Sequence, residues 1–329
     1  LLKRQGYSVV GMMLRLWSEP GKEADNRCCT PDSITLARRV ANRLDIPFYV
    51  LDAREQFYNS VVQPFINGYA QNITPNPCLL CNQRIRWDYM LKLALDIGAC
   101  YLATGHYVRI HRDDNGSMQL LRGIDLAKDQ SYVLYGLNQY QLSHTLFPLG
   151  QLKKTGVREL AKKFNLPAAD RPDSQDLCFI GNLDYRDFLL RYYPAMNNPG
   201  PVLSRQGIQL GTHQGLAAYT IGQRKGLNIS SPHPMYVLEK DGSRNALIVG
   251  RIDELGKNEL ILPEVNWISG STPDLPIRAQ VKIRYKAKPE WAQINITDEE
   301  KICIVFDNVL RDITPGQAAV IYQDDICLG

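Results

Sequence analysis

The sequence lacks any long apolar run. None of its 329 residues belongs to an uninterrupted apolar stretch of about 18 or more, the length that a membrane-spanning helix needs. It also lacks the charged segment followed by an apolar one that marks a secretory signal. We therefore expect a cytoplasmic protein without membrane contact, whose 44% hydrophobic residues suffice to bury a core in two or three domains.

Strong charge of either sign is missing as well. A net charge of +4 permits a polyanionic partner without requiring one, because only a clustered basic patch gives affinity for nucleic acid. The eight cysteines are irregularly spaced in a long chain, which argues against the disulfide framework of a small secreted domain. We expect Cys100, Cys303 and Cys327 to be core residues.

Two thiols three residues apart stand in the segment 74–82, where two prolines restrict the backbone. Pro75 and Pro77 are expected to keep the chain extended until a helix begins near Asn82. Cys81 would then lie at a helix N-terminus, where backbone N–H groups and the helix dipole favour the thiolate. Cys81 is therefore a candidate nucleophile.

Three other interpretations of Cys78 and Cys81 remain open. They could form half of a zinc site, although the nearest other cysteines, Cys28 and Cys29, are adjacent and make a poor second pair. They could also be a thioredoxin-like redox pair or an inert buried pair.

Strand and helix patterns alternate through residues 1–198 and predict a doubly wound, parallel-sheet α/β domain. The predicted strands are 7–14, 46–51 and 100–104, and the predicted helices are 31–44, 55–69, 83–95 and 157–164, the last capped near Thr155. Segment 108–122 has the pattern of a hairpin. A linker at 197–201 precedes a small mostly β domain over 199–253, and alternating strands over 254–329 predict a β-barrel.

Candidate ligand contacts lie at the ends of these elements. Gly105 and His106 follow the strand 100–104, at the edge where open α/β sheets bind ligands. Lys128 begins a polar cluster, and Cys178 ends the polar loop 171–176 before an apolar segment. Taken singly, each residue has a structural alternative. His106 could be a surface histidine, Lys128 part of a solvated turn, and Cys178 a core cysteine.

Taken together, the motifs resemble those of the tRNA-specific 2-thiouridylases, in the same order. They are Pro-Asn-Pro-Cys-Leu-Leu-Cys-Asn at 75–82, Ala-Thr-Gly-His at 103–106, Lys-Asp-Gln-Ser at 128–131, Asp-Leu-Cys-Phe-Ile-Gly at 176–181, Thr-Ile-Gly-Gln-Arg-Lys-Gly-Leu at 220–227 and Thr-Pro-Gly-Gln at 314–317. The resemblance covers the whole chain. It implies an enzyme that adenylates the 2-carbonyl of the wobble uridine in tRNA with Mg-bound ATP and then replaces that oxygen with sulfur.

The resemblance also implies roles for individual residues. Cys178 is similar to the residue that carries a persulfide from a sulfur-relay protein or cysteine desulfurase, and Cys81 to the residue that releases the sulfur by forming a disulfide with Cys178. Leu14 and Gly105 align with ATP contacts. The positions that align with tRNA contacts are Asn76, Pro77, Cys78, His106, Lys128, Asp129, Gln130, Arg284, Tyr285 and Gln317.

Two departures from the family pattern matter. The N-terminal Ser-Gly-Gly-Val-Asp-Ser pyrophosphate loop is absent, as expected of a chain truncated before Leu1, so we expect this chain as given to bind ATP poorly. Position 78 is Cys, where some members have Asp. Cys78, Cys81 and Cys178 could then ligate an Fe–S cluster, an alternative to the persulfide. A non-catalytic tRNA-binding protein and a thiol–disulfide oxidoreductase that uses Cys78 and Cys81 are the alternative functions.

Overall fold

The computed structural model describes residues 1–21, 30–167, 177–181, 184–311 and 313–329. The predicted loop 171–176, with Asp176 of the fourth motif, and the adjacent cysteines Cys28 and Cys29 lie outside these residues. No helix in the described part of the chain is long and apolar enough to cross a membrane.

The chain opens with a parallel βαβ unit. β1 (Gly11–Arg15) pairs in parallel with β2 (Phe48–Asp52), and α1 (Pro31–Leu44) connects them. The helix begins where the sequence predicts, because the Thr30 hydroxyl accepts a hydrogen bond from the Ser33 N–H (3.0 Å) and a proline occupies the first turn. Both strands lie slightly C-terminal to their predicted positions.

Two long helical runs follow, each π-helical in its middle part. Run α2 consists of Arg54–Phe57, Tyr58–Val62 and Gln63–Ala70, and run α3 of Pro77–Leu80, Cys81–Met90 and Leu91–Asp96. The predicted helix start near Asn82 is wrong, since α3 begins at Pro77. Proline at the first helical position has a helix-compatible φ and restricts only the residue before it. That residue, Asn76, is extended and caps the helix.

The rest of the first 200 residues contains short elements. They are β3 (Leu102–Ala103), the hairpin strands β4 (Val108–Arg112) and β5 (Met118–Arg122), α4 (Gln139–Ser143), β6 (Thr145–Leu146), α5 (Lys154–Lys163) and α6 (Tyr185–Tyr192). β3 and β6 pair in parallel, and the predicted hairpin is confirmed. The predicted cap of α5 near Thr155 is wrong, because the helix begins at Lys154 with Lys153 as its N-cap residue.

The C-terminal part is built from two antiparallel-rich sheets. The first has the order β8-β7-β10-β9 and comprises β7 (Gly200–Ser204), β8 (Gln209–His213), β9 (Tyr236–Asp241) and β10 (Ala246–Gly250). The second uses β11 (Lys257–Leu262), β12 (Ile277–Lys282), β13 (Glu290–Ile296), β14 (Ile302–Leu310), β15 (Val320–Gln323) and β16 (Ile326–Cys327). Its order is β11-β14-β13-β12-β15-β16-β5-β4, so the hairpin 108–122 extends the barrel sheet.

The predicted core cysteines differ in burial. Cys327 is buried as predicted, because β16 packs it into a hydrophobic core. Cys100 is exposed, so its prediction is wrong: it precedes the short strand β3 instead of lying within it. Cys303 is half-buried on β14.

One hydrophobic core bears directly on the site, and we call it the aromatic cluster. It joins α2, α3, the segment 177–181, α6, the residue Met196 before β7, and Ala217 between β8 and β9 of the first sheet. Its buried members are Phe57, Val61, Val62, Phe65, Ile66, Tyr69, Ile85, Phe179, Ile180, Phe188, Leu189, Met196 and Ala217.

Candidate active site

The first turn of α3 presents two thiols on one face of the helix. The Asn76 side-chain oxygen accepts a hydrogen bond from the Cys78 N–H (3.2 Å), which fixes the helix start. Cys78 and Cys81 are three residues apart and therefore lie on neighbouring positions of the helix surface. Cys78 is exposed and Cys81 is half-buried. The positive end of the helix lies at Cys78, one turn earlier than the sequence predicted.

Cys81 and Cys178 both pack against the aromatic cluster, although 96 residues separate them in the chain. Cys178 lies in a turn closed by a hydrogen bond from the Ile180 N–H to the Leu177 carbonyl (3.3 Å). The two residues after it, Phe179 and Ile180, are buried members of the cluster and anchor that turn. The two cysteines that the sequence singled out therefore lie against the same hydrophobic core.

A cleft of about 1000 Å³ opens beyond the carboxyl ends of β1 and β2. Arg15 and Arg38 contribute cationic groups to its lining. Leu16 and Trp17 line the cleft and also pack against the aromatic cluster. Leu14 on β1 packs against the cluster without lining the cleft. The cluster thus borders both the cleft and the two thiols. The lining holds three arginines and the two carboxylates of Asp52 and Glu55, a small excess of positive charge. The size and position of the cleft fit a nucleotide.

A salt bridge shapes one wall of this cleft. The Arg54 guanidinium donates to the Asp52 carboxylate (Nη2 to Oδ2, 2.6 Å), and both side chains remain about half exposed. Hydrogen bonds from Arg54 are the main reason that the pKa of Asp52 falls to about 2. Asp52 is therefore ionised at neutral pH and offsets part of the positive charge of the cleft.

Gly105 and His106 follow β3, as predicted, and Gly105 is exposed. The His106 ring shares a hydrogen bond with the Thr104 hydroxyl through Nδ1 (2.7 Å), and it packs against Trp87 and Phe147. Burial, assisted by the nearby positive charge of Arg86, lowers the pKa of His106 to about 3. His106 is therefore neutral at physiological pH and can take part in hydrogen bonding but not in charge neutralisation.

Tyr285 of the barrel lies near Cys78 on α3 and near the loop that carries Lys128 and Asp129. Burial raises the pKa of the Tyr285 hydroxyl, the charges of Asp129 and Cys78 raise it further, and Lys128 opposes them. Tyr285 is therefore within electrostatic reach of three residues that the sequence assigned to tRNA contact. The Lys282 ammonium lies 5.5 Å from the centre of the Tyr285 ring and 5.8 Å from that of Tyr132.

The side chains of Asp129 and Gln130 are engaged within the protein. The buried Asp129 carboxylate accepts hydrogen bonds from the N–H groups of Gly123 (3.0 Å) and Ser131 (3.1 Å) and from the Ser131 hydroxyl (2.8 Å). The Gln130 side-chain oxygen accepts from the Tyr107 N–H (2.9 Å). These bonds shape the loop that carries the half-buried Lys128.

The other predicted barrel residues also make internal contacts. Arg284 donates a hydrogen bond from Nη2 to the Thr314 hydroxyl. Gln317 donates from Nε2 to the Thr74 carbonyl (2.8 Å), at the start of the cysteine segment. Thr74 was not among the predicted site residues, although its position directly before Pro75 could have indicated it.

The three cysteines do not form a metal site in this geometry. No group of three or more His, Cys, Asp or Glu side chains is arranged to hold a metal ion within the described ranges, which include Cys78, Cys81 and Cys178. The donor set expected for an Fe–S cluster is therefore not assembled there.

Family models cover almost the whole chain. The model described as the tRNA methyl transferase HUP domain matches residues 1–182, that of the tRNA methyl transferase PRC-barrel domain matches 186–251, and that of the aminomethyltransferase beta-barrel domain matches 257–329. These matches agree with an α/β domain followed by a small β-rich domain and a β-barrel.

Individual relatives are similar over the same extent. The tRNA-specific 2-thiouridylase MnmA of Clostridioides difficile (strain 630) is 43% identical over 331 residues, which cover 100% of this chain and 92% of that protein. The protein of the same name from Magnetococcus marinus (strain ATCC BAA-1437 / JCM 17883 / MC-1) is 43% identical over 325 residues, covering 98% and 91%. The chain therefore belongs to the tRNA-specific 2-thiouridylases, a family of tRNA sulfurtransferases.

Proposed function

We propose that this protein uses ATP to replace the 2-oxygen of the wobble uridine in tRNA with sulfur, by way of a persulfide on Cys178. The observation that carries the proposal is the packing of Cys81 and Cys178 against the same aromatic cluster, which also borders the nucleotide-sized cleft. Both thiols and the cleft can therefore serve a single reaction centre.

The tRNA would approach on the side of Cys78 and Tyr285. The Tyr285 ring is 38% exposed, and an exposed aromatic ring is suited to stacking on an unpaired base. Lys128 lies nearby and supplies a positive charge for phosphate. Neutral His106 could donate or accept a hydrogen bond without adding charge.

ATP would occupy the cleft at the carboxyl ends of β1 and β2 and supply the adenylyl group that makes the uridine 2-oxygen a leaving group. Arg15 and Arg38 would attract the phosphates. Leu14 and Gly105 are not among the residues that line the cleft, and their proposed contact with the nucleoside rests on the resemblance alone. We assign no described residue to Mg²⁺, because no metal-ligand set is found among them.

The sulfur chemistry then needs only the two thiols. A cysteine desulfurase or sulfur-relay protein would transfer a sulfur atom to Cys178, forming a persulfide. The terminal sulfur bonds to C2 of the activated uridine as AMP leaves, and the Cys81 thiolate attacks Sγ of Cys178, breaking the persulfide S–S bond. The two cysteines lose two electrons as they form the disulfide, and the transferred sulfur accepts those electrons. A dithiol reductant must then restore both thiols.

Cysteine substitutions test this order of events. In the complete gene product, Cys81→Ser should accept labelled sulfur from a cysteine desulfurase on Cys178 but should not pass it to tRNA. Cys178→Ser should accept none, and Cys78→Ser should have a mild effect, because Cys78 has no step in the scheme. Protein-bound and tRNA-bound sulfur would be measured separately, with Cys100→Ser, another exposed cysteine, as the matched control for Cys78→Ser.

Two results would contradict the persulfide scheme. One is full sulfur transfer to tRNA by Cys81→Ser. The other is anaerobic reconstitution of a stable Fe–S cluster that is required for thiolation and is lost with each of Cys78, Cys81 and Cys178. Turnover of a disulfide substrate by Cys78 and Cys81 without tRNA or ATP would instead indicate an oxidoreductase.

A further inference from the structure

A four-residue loop of the barrel holds the backbone at the entrance to the cysteine helix. This loop, residues 314–317, contacts Thr74, which lies two residues before the Asn76 cap. The Thr74 N–H donates to the Pro315 carbonyl (2.9 Å), and the Thr74 carbonyl accepts from Gln317 Nε2 (2.8 Å). Both backbone polar groups of Thr74 are therefore bound by the barrel.

The contact leaves no room for an additional atom. Gly316 has a φ of +95°, and a Cβ built on it would lie 2.7 Å from the Thr74 carbonyl oxygen and 2.8 Å from its carbon. On the other side of the segment, a Cβ on Gly68 of α2 would lie 2.9 Å from the ring of Pro75. Residues 74 and 75 are thus enclosed between the barrel loop and α2, with a glycine at each contact.

This enclosure bears on the thiols because the chain between them and Thr74 is short and stiff. Pro75 and Pro77 restrict the backbone, and Asn76 caps α3, on which Cys78 and Cys81 lie within the first five residues. A displacement of Thr74 would therefore move the start of α3 and change where Cys81 lies relative to Cys178.

We infer that loop 314–317 is a positioning clamp for the cysteine helix, and that Gln317 acts through Thr74 instead of through tRNA. This inference rests on the proposed function and deepens it. The barrel then contributes to the sulfur-transfer step as well as to tRNA binding. The residues of the clamp do not touch the reacting atoms, so they are positioning residues.

Glycine substitutions provide a matched test of the close contact. Gly316→Ala introduces a Cβ against the Thr74 backbone. Gly270→Ala, at a site in the same C-terminal region, has a similar φ of +88° and nothing within 4 Å of the added Cβ. Both variants carry the same type of backbone strain, and only Gly316→Ala disturbs Thr74.

A first readout needs neither tRNA nor ATP. Hydrogen exchange should show that the Thr74 amide exchanges about tenfold faster in Gly316→Ala than in the parent protein, as expected for loss of one hydrogen bond, and unchanged in Gly270→Ala. Gln317→Ala is the second variant and remains informative if Gly316→Ala does not fold. It should speed exchange in residues 73–81, whereas Gln209→Ala should not, since the Gln209 side chain donates to the Gly211 carbonyl of its own strand.

A second readout separates positioning from tRNA contact. Single-turnover thiolation at saturating tRNA should fall about tenfold or more in Gly316→Ala and Gln317→Ala, because small misplacement of a reacting group is costly. The dissociation constant for tRNA should stay within about twofold of the parent value, in the range of a weak surface contact. Gly270→Ala and Gln209→Ala should match the parent in both measurements.

The clamp is refuted if Gln317→Ala weakens tRNA binding while exchange near Thr74 and the single-turnover rate stay unchanged, since Gln317 would then be a tRNA contact. Unchanged exchange in both Gly316→Ala and Gln317→Ala also refutes it. If the complete gene product thiolates no tRNA, the proposed function fails, and the exchange measurements still decide whether the clamp exists.

Discussion

Phe179 should control how readily Cys178 and Cys81 react with each other. Its side chain is only 3% exposed and follows Cys178 directly in the chain. Ring centroids of Phe57, Phe65 and Phe188 lie 5.8, 5.5 and 5.6 Å away, each in an edge-on arrangement. Phe179→Ala would therefore remove one of the two buried side chains that anchor the Cys178 turn in the aromatic cluster.

The size of the effect follows from the burial and the ring contacts. Replacing a buried Phe by Ala costs about 3–5 kcal/mol, and three edge-on contacts, each worth about 0.5–1.5 kcal/mol beyond the buried area, favour the upper half of that range. A domain stability of about 5–15 kcal/mol leaves most such variants folded at 25 °C. We expect the Cys81–Cys178 disulfide to form about tenfold or more slowly in Phe179→Ala, because the thiols are no longer held in position.

Phe306→Ala is the matched control, because Phe306 has the same 3% exposure but belongs to the core of the barrel. Both variants should lose free energy of unfolding within the range of about 3–5 kcal/mol, measured with urea. The protein would be oxidised with diamide, quenched by alkylation and analysed by mass spectrometry for the Cys81–Cys178 peptide pair. Phe179→Leu replaces Phe179→Ala if the latter does not fold. Equal disulfide rates in the Phe179 and Phe306 variants would refute the anchoring role.

Three further predictions concern charge. The His106 ring should remain neutral from pH 8 to pH 4 in NMR titration. The pKa of His106 in the folded protein, about 3, lies below the ordinary 6.5. Its contribution to the free energy of unfolding is therefore complete above pH 6.5 and is lost as the pH falls towards 3. His106→Asn should reduce this dependence of stability on pH. Asp52 should add a smaller loss of stability between about pH 4 and pH 2, absent in Asp52→Asn, because hydrogen bonds from the half-exposed Arg54 lower its pKa to about 2. Lys128→Ala and Arg284→Ala should each weaken tRNA binding and lower its salt slope by about one ion, and an unchanged slope would show that neither contacts phosphate.

Local signals predicted local structure well. The start of α1 followed from Thr30 and Pro31, and the hairpin 108–122 from its turn residues, because caps and turns depend on neighbours in the chain. The same reasoning misplaced the start of α3. Pro77 was treated as an obstacle to helix formation, whereas Asn76 before it makes it a favourable first residue.

Contacts between distant segments could not be predicted from residue patterns. Strand alternation indicates that residues 118–122 form an edge of a hairpin, but it does not show that β5 pairs with β16, about 200 residues later. Likewise, no pattern around Cys81 or Cys178 shows that both pack against the aromatic cluster. Only the resemblance to a family led to the expectation that these two cysteines act together.

The Lys-Asp-Gln-Ser motif shows why an aligned motif predicts a site more reliably than it predicts the role of each residue. Asp129 binds the loop internally, and the Ser131 hydroxyl hydrogen-bonds to both Asp129 and the Tyr322 hydroxyl (3.0 Å) on the barrel. Gln130 binds the Tyr107 backbone. The geometry therefore leaves Lys128 as the motif residue best suited to reach tRNA, while its neighbours connect the loop to the barrel. A tRNA contact by each of Lys128, Asp129 and Gln130 remains a prediction. Substituting each in turn would separate loss of tRNA affinity from loss of the loop structure that presents Lys128.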